Sequence, residues 1–343
     1  MLRHHIPQIV SHAGSTGRYF LSYVHTFART LVVALSRFES PREALRTARQ
    51  EPGRPGLADG IARGALRGKP LLIHYHIFKN AGSSFEWALE KAVGKGLQRY
   101  DSLSHDGFLT RSDLAAYVKK NVRTRIIATH QAAPPAPRIK GRRVLSSILI
   151  RDPIARVRSI YAFERSQVAD NPGAIKAKEL GFKGYVEWRM AVSPRMFCNF
   201  QIHFCCRDRA KADPPLDRSH LDRAIAALDG MDIVGTVERY DEWLALAQSI
   251  LSEHFGFISL ASVRENQSTS GKPQSESEIK ERLVEELGSD LAGELLVQNE
   301  LDMCLHQVAD ALLTRRLAER SVLIRLRDAY GRAPQAQAAA SET

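Results

Sequence analysis

At 343 residues with 44% hydrophobic side chains, the chain is long enough to bury one large core and has the composition of an ordinary globular protein. Its formal net charge of +11 admits nucleic acid, an anionic surface or an anionic ligand. The arginines are spread throughout, however, with no basic stripe interleaved with aromatics and no zinc-finger or RNA-recognition signature, which sets nucleic acid aside.

Residues 19–35 have the apolar look of a membrane anchor, but His25 and Arg29 interrupt them, and a span needs about 20 mostly apolar residues. No small-residue cleavage site follows at signal-peptide distance. Phe20, Val24, Phe27, Leu31 and Leu35 fall on one face of an amphipathic helix. Packing on its own domain or on a partner subunit is the favoured reading, and a peripheral membrane contact through 19–35 is the alternative. Gly, Pro and Arg dominate 51–69, so residues 1–69 read as a basic helical extension and linker.

From residue 71 an apolar run breaks at a small-residue loop and resumes with helical spacing through residue 89, which predicts a strand, an anion-binding loop and a helix. A helix N-terminus presents unpaired N–H groups and the positive end of its dipole. Gly82 reads as room for close approach of a ligand, Ser83 and Ser84 add hydroxyls, and Lys79 adds a cation. Because Lys79 precedes Gly82, the loop is not the nucleotide-triphosphate pattern, in which the Lys follows the glycines.

Short strands are expected at 97–103 and 125–129, with a helix at 113–120 capped by Ser112 between them. The proline-rich stretch 132–138 cannot be helical. A buried-type strand at 144–150 runs into Arg151 and Asp152, and Pro153 suits the first turn of a new helix. The remainder is mainly helical, with one strand at 232–237, a polar loop at 263–274, a long helix over 291–317 and a disordered tail at 331–343. Alternating strands and helices imply a P-loop-like three-layer α/β/α fold with a central parallel sheet and a helical C-terminal half, its ligand beyond the C-terminal strand ends. Four cysteines, Cys198, Cys205, Cys206 and Cys304, lack zinc-site spacing and disulfide density and read as reduced thiols, which fits a cytoplasmic protein. No metal-ligand cluster and no dinucleotide fingerprint stands out.

Together the loop at 78–84 and the segment of Arg151, Asp152, Pro153, Arg156, Ser159 and Tyr161 resemble the PAPS-dependent sulfotransferases, specifically the carbohydrate branch that includes heparan 2-O-sulfotransferase and its bacterial relatives. In that family a Pro-Lys-Thr-Gly/Ala-Gly/Ser-Thr-Ser loop holds the 5′-phosphosulfate, and the Arg-Asp-Pro segment holds the 3′-phosphate. The resemblance implies that Lys79, Asn80, Ala81, Gly82, Ser83 and Ser84 bind the first and that Arg151 and Ser159 bind the second. Phe78 replaces the family's Pro and Asn80 its Thr, but neither change removes the Lys or a backbone donor. Further likenesses follow in the family's order: Thr129 and His130, Asn199 and Gln201, Glu238 and Asp241, then Asn299 and Asp302, with His306 where the family has Tyr. Residues 70–330 therefore form the expected sulfotransferase domain.

Sulfuryl transfer demands in-line geometry and charge stabilisation on the leaving oxygen, which Lys79 would supply, and the resemblance requires no metal. A base must take the acceptor's proton, and imidazole suits neutral pH. His130, at a strand end and aligned with the family's Gly-His base, is the choice, with His105 and Asp106 as alternatives. His74 and His76 alternate along the first strand and read as packing residues, Arg156 and Arg158 as solvated or structural. The late loop carrying Asn266, Ser268 and Lys272 is the part that closes over the nucleotide in relatives, which makes Ser268 and Lys272 second-rank cofactor ligands. Gln201 faces either substrate or helix packing. The expected activity is transfer of sulfate from PAPS to a carbohydrate or glycolipid hydroxyl; the alternatives are a non-catalytic adenine-nucleotide-binding protein and, last, a P-loop-like kinase.

Overall fold

The computed structural model describes residues 68–103, 107–168, 170–207, 215–256, 258–260 and 276–330. The amphipathic stretch 19–35, most of the linker, His105, Asp106, Asn266, Ser268, Lys272 and the tail at 331–343 lie outside the described residues. A compact unit begins at Gly68, two residues ahead of the boundary read from the sequence.

In chain order, strand β1 (Gly68–Tyr75) is followed by helix α1 (Gly82–Val93), β2 (Leu97–Arg99), α2 (Arg111–Lys120), β3 (Ile126–Thr129) and β4 (Arg142–Ile150). Next are helices α3 (Pro153–Ser166), α4 (Pro172–Glu179), α5 (Phe182–Val192) and α6 (Phe200–Cys206). Then come α7 (Arg218–Asp229), β5 (Ile233–Thr236), α8 (Tyr240–Phe255), α9 (Glu276–Leu287), α10 (Ser289–Gln298) and α11 (Glu300–Tyr330). The five strands form one parallel sheet in the order β2-β3-β1-β4-β5. The expected three-layer α/β/α fold with a helical C-terminal half is therefore present.

β1 is buried from Leu71 to Tyr75, as a central parallel strand covered on both faces must be. Its alternation distributes the core. Leu71, Ile73 and Tyr75 pack with Leu114 of α2, Ile202 of α6, Leu221 of α7 and Leu305 of α11. On the other face Leu72 packs with Phe85 and Leu89 of α1 and Trp243 and Leu251 of α8. Burying each such side chain stabilises the fold by about 1.5–3 kcal/mol. A third cluster joins Val157 of α3, Tyr185 of α5, Leu287 of α9 and Leu295 of α10 into a helical lobe beside the sheet. Among the described residues no helix is long and apolar enough to cross a membrane.

Several expected boundaries move, each for a local reason. The second strand stops at Arg99 rather than 103, because Asp101 turns its carboxylate to the end of β3. The strands at 125–129 and 232–237 are trimmed to Ile126–Thr129 and Ile233–Thr236. α2 starts earlier than 113 and is capped by Thr110, not Ser112: the Thr110 hydroxyl accepts from the Asp113 N–H while the Asp113 carboxylate accepts from the Thr110 N–H. The long helix over 291–317 is two helices that break at Asn299, whose side chain donates to the Leu295 carbonyl and accepts from the Asn199 N–H.

Candidate functional site

β1 lies between β3 and β4, so the loops leaving all three strands meet at one sheet edge, where the strand order reverses. These are the loop at 76–81, His130 just past β3, and Arg151 just past β4.

The first loop is shaped by positive φ at two residues that are not glycine, Lys79 (66°) and Ala81 (59°). Two arginines hold it, the half-buried Arg151 and the buried Arg156. Arg151 Nη1 donates to the Lys79 carbonyl at 2.8 Å, and Arg156 Nε donates to the Phe78 carbonyl at 3.1 Å. With those carbonyls drawn toward α3, the start of α1 is left open: its N-cap is Ala81, which has no side-chain acceptor, and its first turn carries no acidic residue. The first N–H groups of the helix, at Gly82, Ser83 and Ser84, have no acceptor within the helix. Ser83 is exposed and Ser84 half-buried at that opening.

Arg156 is thus structural and not solvated. Only 1% of it is exposed, its Nη1 donates to the Met196 carbonyl at 2.9 Å, its guanidinium lies over the Phe200 ring, and burial pushes its pKa down to about 9. Arg158 instead pairs with Glu286, tying α3 to α9. Arg151 keeps its buried Nε without a hydrogen-bond partner among the described residues. Its acidic neighbours are engaged elsewhere: Asp152 caps α3 through the Ala155 N–H, and Glu164 binds Arg189. Ser159 is half-buried, one turn beyond Arg156 and one turn before Phe163 on the same helix face.

Lys79 places its Nζ 4.2 Å from the centroid of the Phe163 ring. Burial, and next the Arg151 charge, lower its pKa. Asn80 is only 1% exposed. Its Nδ2 donates to the Leu149 carbonyl at 2.8 Å and to Gln201 Oε1 at 2.7 Å. Gln201, fully buried, completes the joint by accepting from the Arg151 N–H and donating to the Arg151 carbonyl. Packing, not substrate contact, is therefore what Gln201 does. Asp302 fixes it in turn by accepting from the Gln201 and Ile202 N–H groups, while across the same junction the Asn199 N–H donates to Asn299 Oδ1 and Asn199 Oδ1 accepts from the Asp302 N–H. The order of these residues along the sequence corresponds to one physical lock around the loop.

Gly82 is explained by a neighbour. A Cβ there would fall 2.2 Å from the His76 imidazole, so the space read from the sequence as room for a ligand is filled by that ring. His76 in turn donates from Nδ1 to Glu86 at 2.6 Å and lies 4.1 Å, centroid to centroid, from His130. His74 is packed as expected, against Phe85 and beside Ser147.

Sequence reasoning missed Asp101. Its carboxylate accepts from the His130 N–H at 2.8 Å, from His130 Nδ1 at 2.9 Å and from the Thr129 hydroxyl at 3.0 Å. Burial opposes ionisation of Asp101, but these hydrogen bonds outweigh it and hold the carboxyl below its ordinary range. An ionised carboxylate can only accept, so it selects the His130 tautomer with the proton on Nδ1 and a lone pair on Nε2. Pairing of β2 with β3 makes this contact, and no local pattern in the sequence states that those two strands are neighbours.

A cleft of about 1700 Å³ opens between this edge and the helical lobe, with Phe78, His130, Asp101, Phe163, Trp188 and Arg207 among its walls. Arg207 donates from Nη2 to the His130 carbonyl at 2.5 Å, and burial lowers its pKa to about 10. At the other end of the edge, Glu238 accepts from the Asp152 N–H and from His306 Nε2, so His306 serves as a carboxylate's partner.

No family model matches the chain. An uncharacterized protein of Archaeoglobus fulgidus is 27% identical over 241 residues, which cover 68% of this chain and 94% of that relative.

Proposed function

We propose that the chain is a PAPS-dependent O-sulfotransferase acting on a hydroxyl of a carbohydrate or glycolipid. The observation that carries this reading is the joint placement, at one sheet edge, of an uncapped helix start behind an Arg-braced loop and a His130–Asp101 pair. The donor set fits a nucleotide bearing separate 5′ and 3′ anions. Open N–H groups and two serine hydroxyls stand at α1, and Arg151 offers an unsatisfied buried Nε one strand away, just ahead of the helix that carries Ser159.

PAPS brings an already activated sulfuryl group, so the protein's task is positioning and charge. His130 takes the acceptor hydroxyl's proton at Nε2 as the oxygen attacks sulfur, and Asp101 stabilises the imidazolium that results. Lys79, partly desolvated against Phe163, meets the negative charge left on the 5′-phosphate as the bridging S–O bond breaks. The cleft admits the acceptor beside His130. Retention of a paired base supports catalysis over a purely nucleotide-binding role. The test is thermal stabilisation by adenosine 3′,5′-bisphosphate against ATP, followed by transfer of labelled sulfate from PAPS to a panel of glycans. Stabilisation by ATP alone would overturn the assignment.

A further inference from the structure

We propose that His76 is a positioning residue of the transfer step, its ring face supporting the His130 ring and its edge anchored to α1 through Glu86. This inference rests on the sulfotransferase reading only for the reaction in which the effect would be read.

Asp101 holds His130 by a hydrogen bond at Nδ1 and leaves 46% of the His130 side chain exposed. One edge bond fixes a tautomer but does not stop the ring from swinging about that bond. The His76 ring closes that freedom, at 4.1 Å between centroids and 31° between planes. The His76 ring also packs directly on Gly82, where even a methyl group would collide with it. It cannot rotate in its plane. Its Nδ1 donates to Glu86 Oε1 at 2.6 Å, and Glu86 Oε2 accepts from Arg99 Nε, also at 2.6 Å. Burial disfavours the Glu86 charge, but the bonds from His76 and Arg99 more than offset it and hold the carboxyl down to about 2. The carboxylate is thus a constant anchor. Glu86 and Gly82 both belong to α1, the helix whose first turn faces the proposed phosphosulfate site, so the chain of contacts sets the distance between the base and that turn.

Two substitutions separate the ring face from the anchor. His76→Gln keeps a donor for Glu86 but removes the flat ring; His76→Phe keeps a ring and gives up the bond. With His76→Gln, turnover should fall by about a hundredfold, the effect of a misplaced reacting group, while calorimetric affinity for adenosine 3′,5′-bisphosphate stays near that of the wild type. His76→Phe should retain most of the turnover at reduced thermal stability. A readout independent of transfer is the Hε1 proton resonance of His130, which ring stacking shields: it should move in His76→Gln and stay in His76→Phe. Wild-type turnover in His76→Gln, the reverse ranking of the two variants, or an unmoved resonance overturns the proposal. A wild-type protein that shows the resonance pattern but neither binds the bisphosphate nor transfers sulfate overturns the enzymatic reading and leaves the contact chain standing.

Discussion

Arg151 meets Lys79 through its backbone and not its charge: Nη1 of the first donates to the carbonyl of the second at 2.8 Å, drawing two cations to one side of the loop. The arrangement holds a positive-φ residue in place and leaves another face of the guanidinium unspent. Arg151→Ala should therefore weaken adenosine 3′,5′-bisphosphate binding by more than about 1.5 kcal/mol, the low end for hydrogen bonds to charged groups. Unchanged affinity in calorimetry would remove Arg151 from the ligand set and leave it as a loop brace.

Lys79→Ala should leave the fold intact and lower turnover far more than nucleotide affinity, because the ammonium matters most when the leaving oxygen gains charge. Steady-state rates compared with calorimetric affinity decide the point. Equal losses in both would assign Lys79 to ground-state binding.

His130→Ala and Asp101→Asn probe the base from its two ends. Both should keep bisphosphate affinity and lose turnover by about a hundredfold or more, the first for want of an acceptor and the second because a carboxamide no longer selects the tautomer with a free Nε2. The wild-type rate should fall on acidification, since protonated imidazole accepts nothing, and His130→Ala should lack that limb. Near-normal turnover in His130→Ala would move the role to His105 or Asp106.

Gln201→Ala removes a fully buried amide that serves Asn80 and both backbone groups of Arg151. Leaving such groups unpaired costs roughly 1–3 kcal/mol each, so a loss of at least about 2 kcal/mol in urea unfolding is expected, together with weaker bisphosphate binding. A variant as stable as the wild type would show that the joint is not under load.

Burial pulls the pKa of His74 down from its ordinary value to about 3, with the neighbouring His76 adding to the effect, and burial lowers His76 as well. In the unfolded chain both would titrate near 6.5, so for His74 the unfolded state binds a proton that the folded state refuses between about 6.5 and 3, and His76 acts in the same direction. Stability is then fully present above about 6.5 and declines as pH falls, by up to about 1.4 kcal/mol per pH unit for each group. Unfolding free energies at pH 7.5 and 5.0, a range above most carboxylate titration, should show the loss. His74→Asn should flatten the slope, and an unaltered slope would place the proton uptake elsewhere.

Much of this site could be read in the chain because its parts are contiguous. Lys79 to Ser84 and Arg151 to Ser159 each form a strand end running into a helix, which periodicity and Pro153 announce without knowledge of the fold. Asp101 could not be found that way: it reaches His130 only because β2 and β3 pair, and no local pattern states which strands are neighbours. The same holds for Gly82, whose small size reads as space for a ligand but whose actual occupant is His76, six residues earlier and brought back by the loop. The break at Asn299 was hidden because the apolar spacing of α10 and α11 continues across it, while one of the two Asn299 side-chain bonds that mark it comes from a segment 100 residues away.

The lock of Asn80, Gln201 and Asp302 spans sequence separations of 121 and 101 residues. Closing contacts of that range is entropically slow, and the Gln201–Asp302 contact cannot form until α11 has been synthesised and docked. The cradle at the start of α1, although encoded near the beginning of the compact unit, would accordingly be among the last parts of the protein to acquire its shape. A ribosome-bound nascent chain ending before Asp302 should have the β1-β3-β4 sheet available to form while the proposed bisphosphate site still lacks its floor. Binding at the proposed nucleotide site would thus report docking of α11, not merely the presence of the two loops.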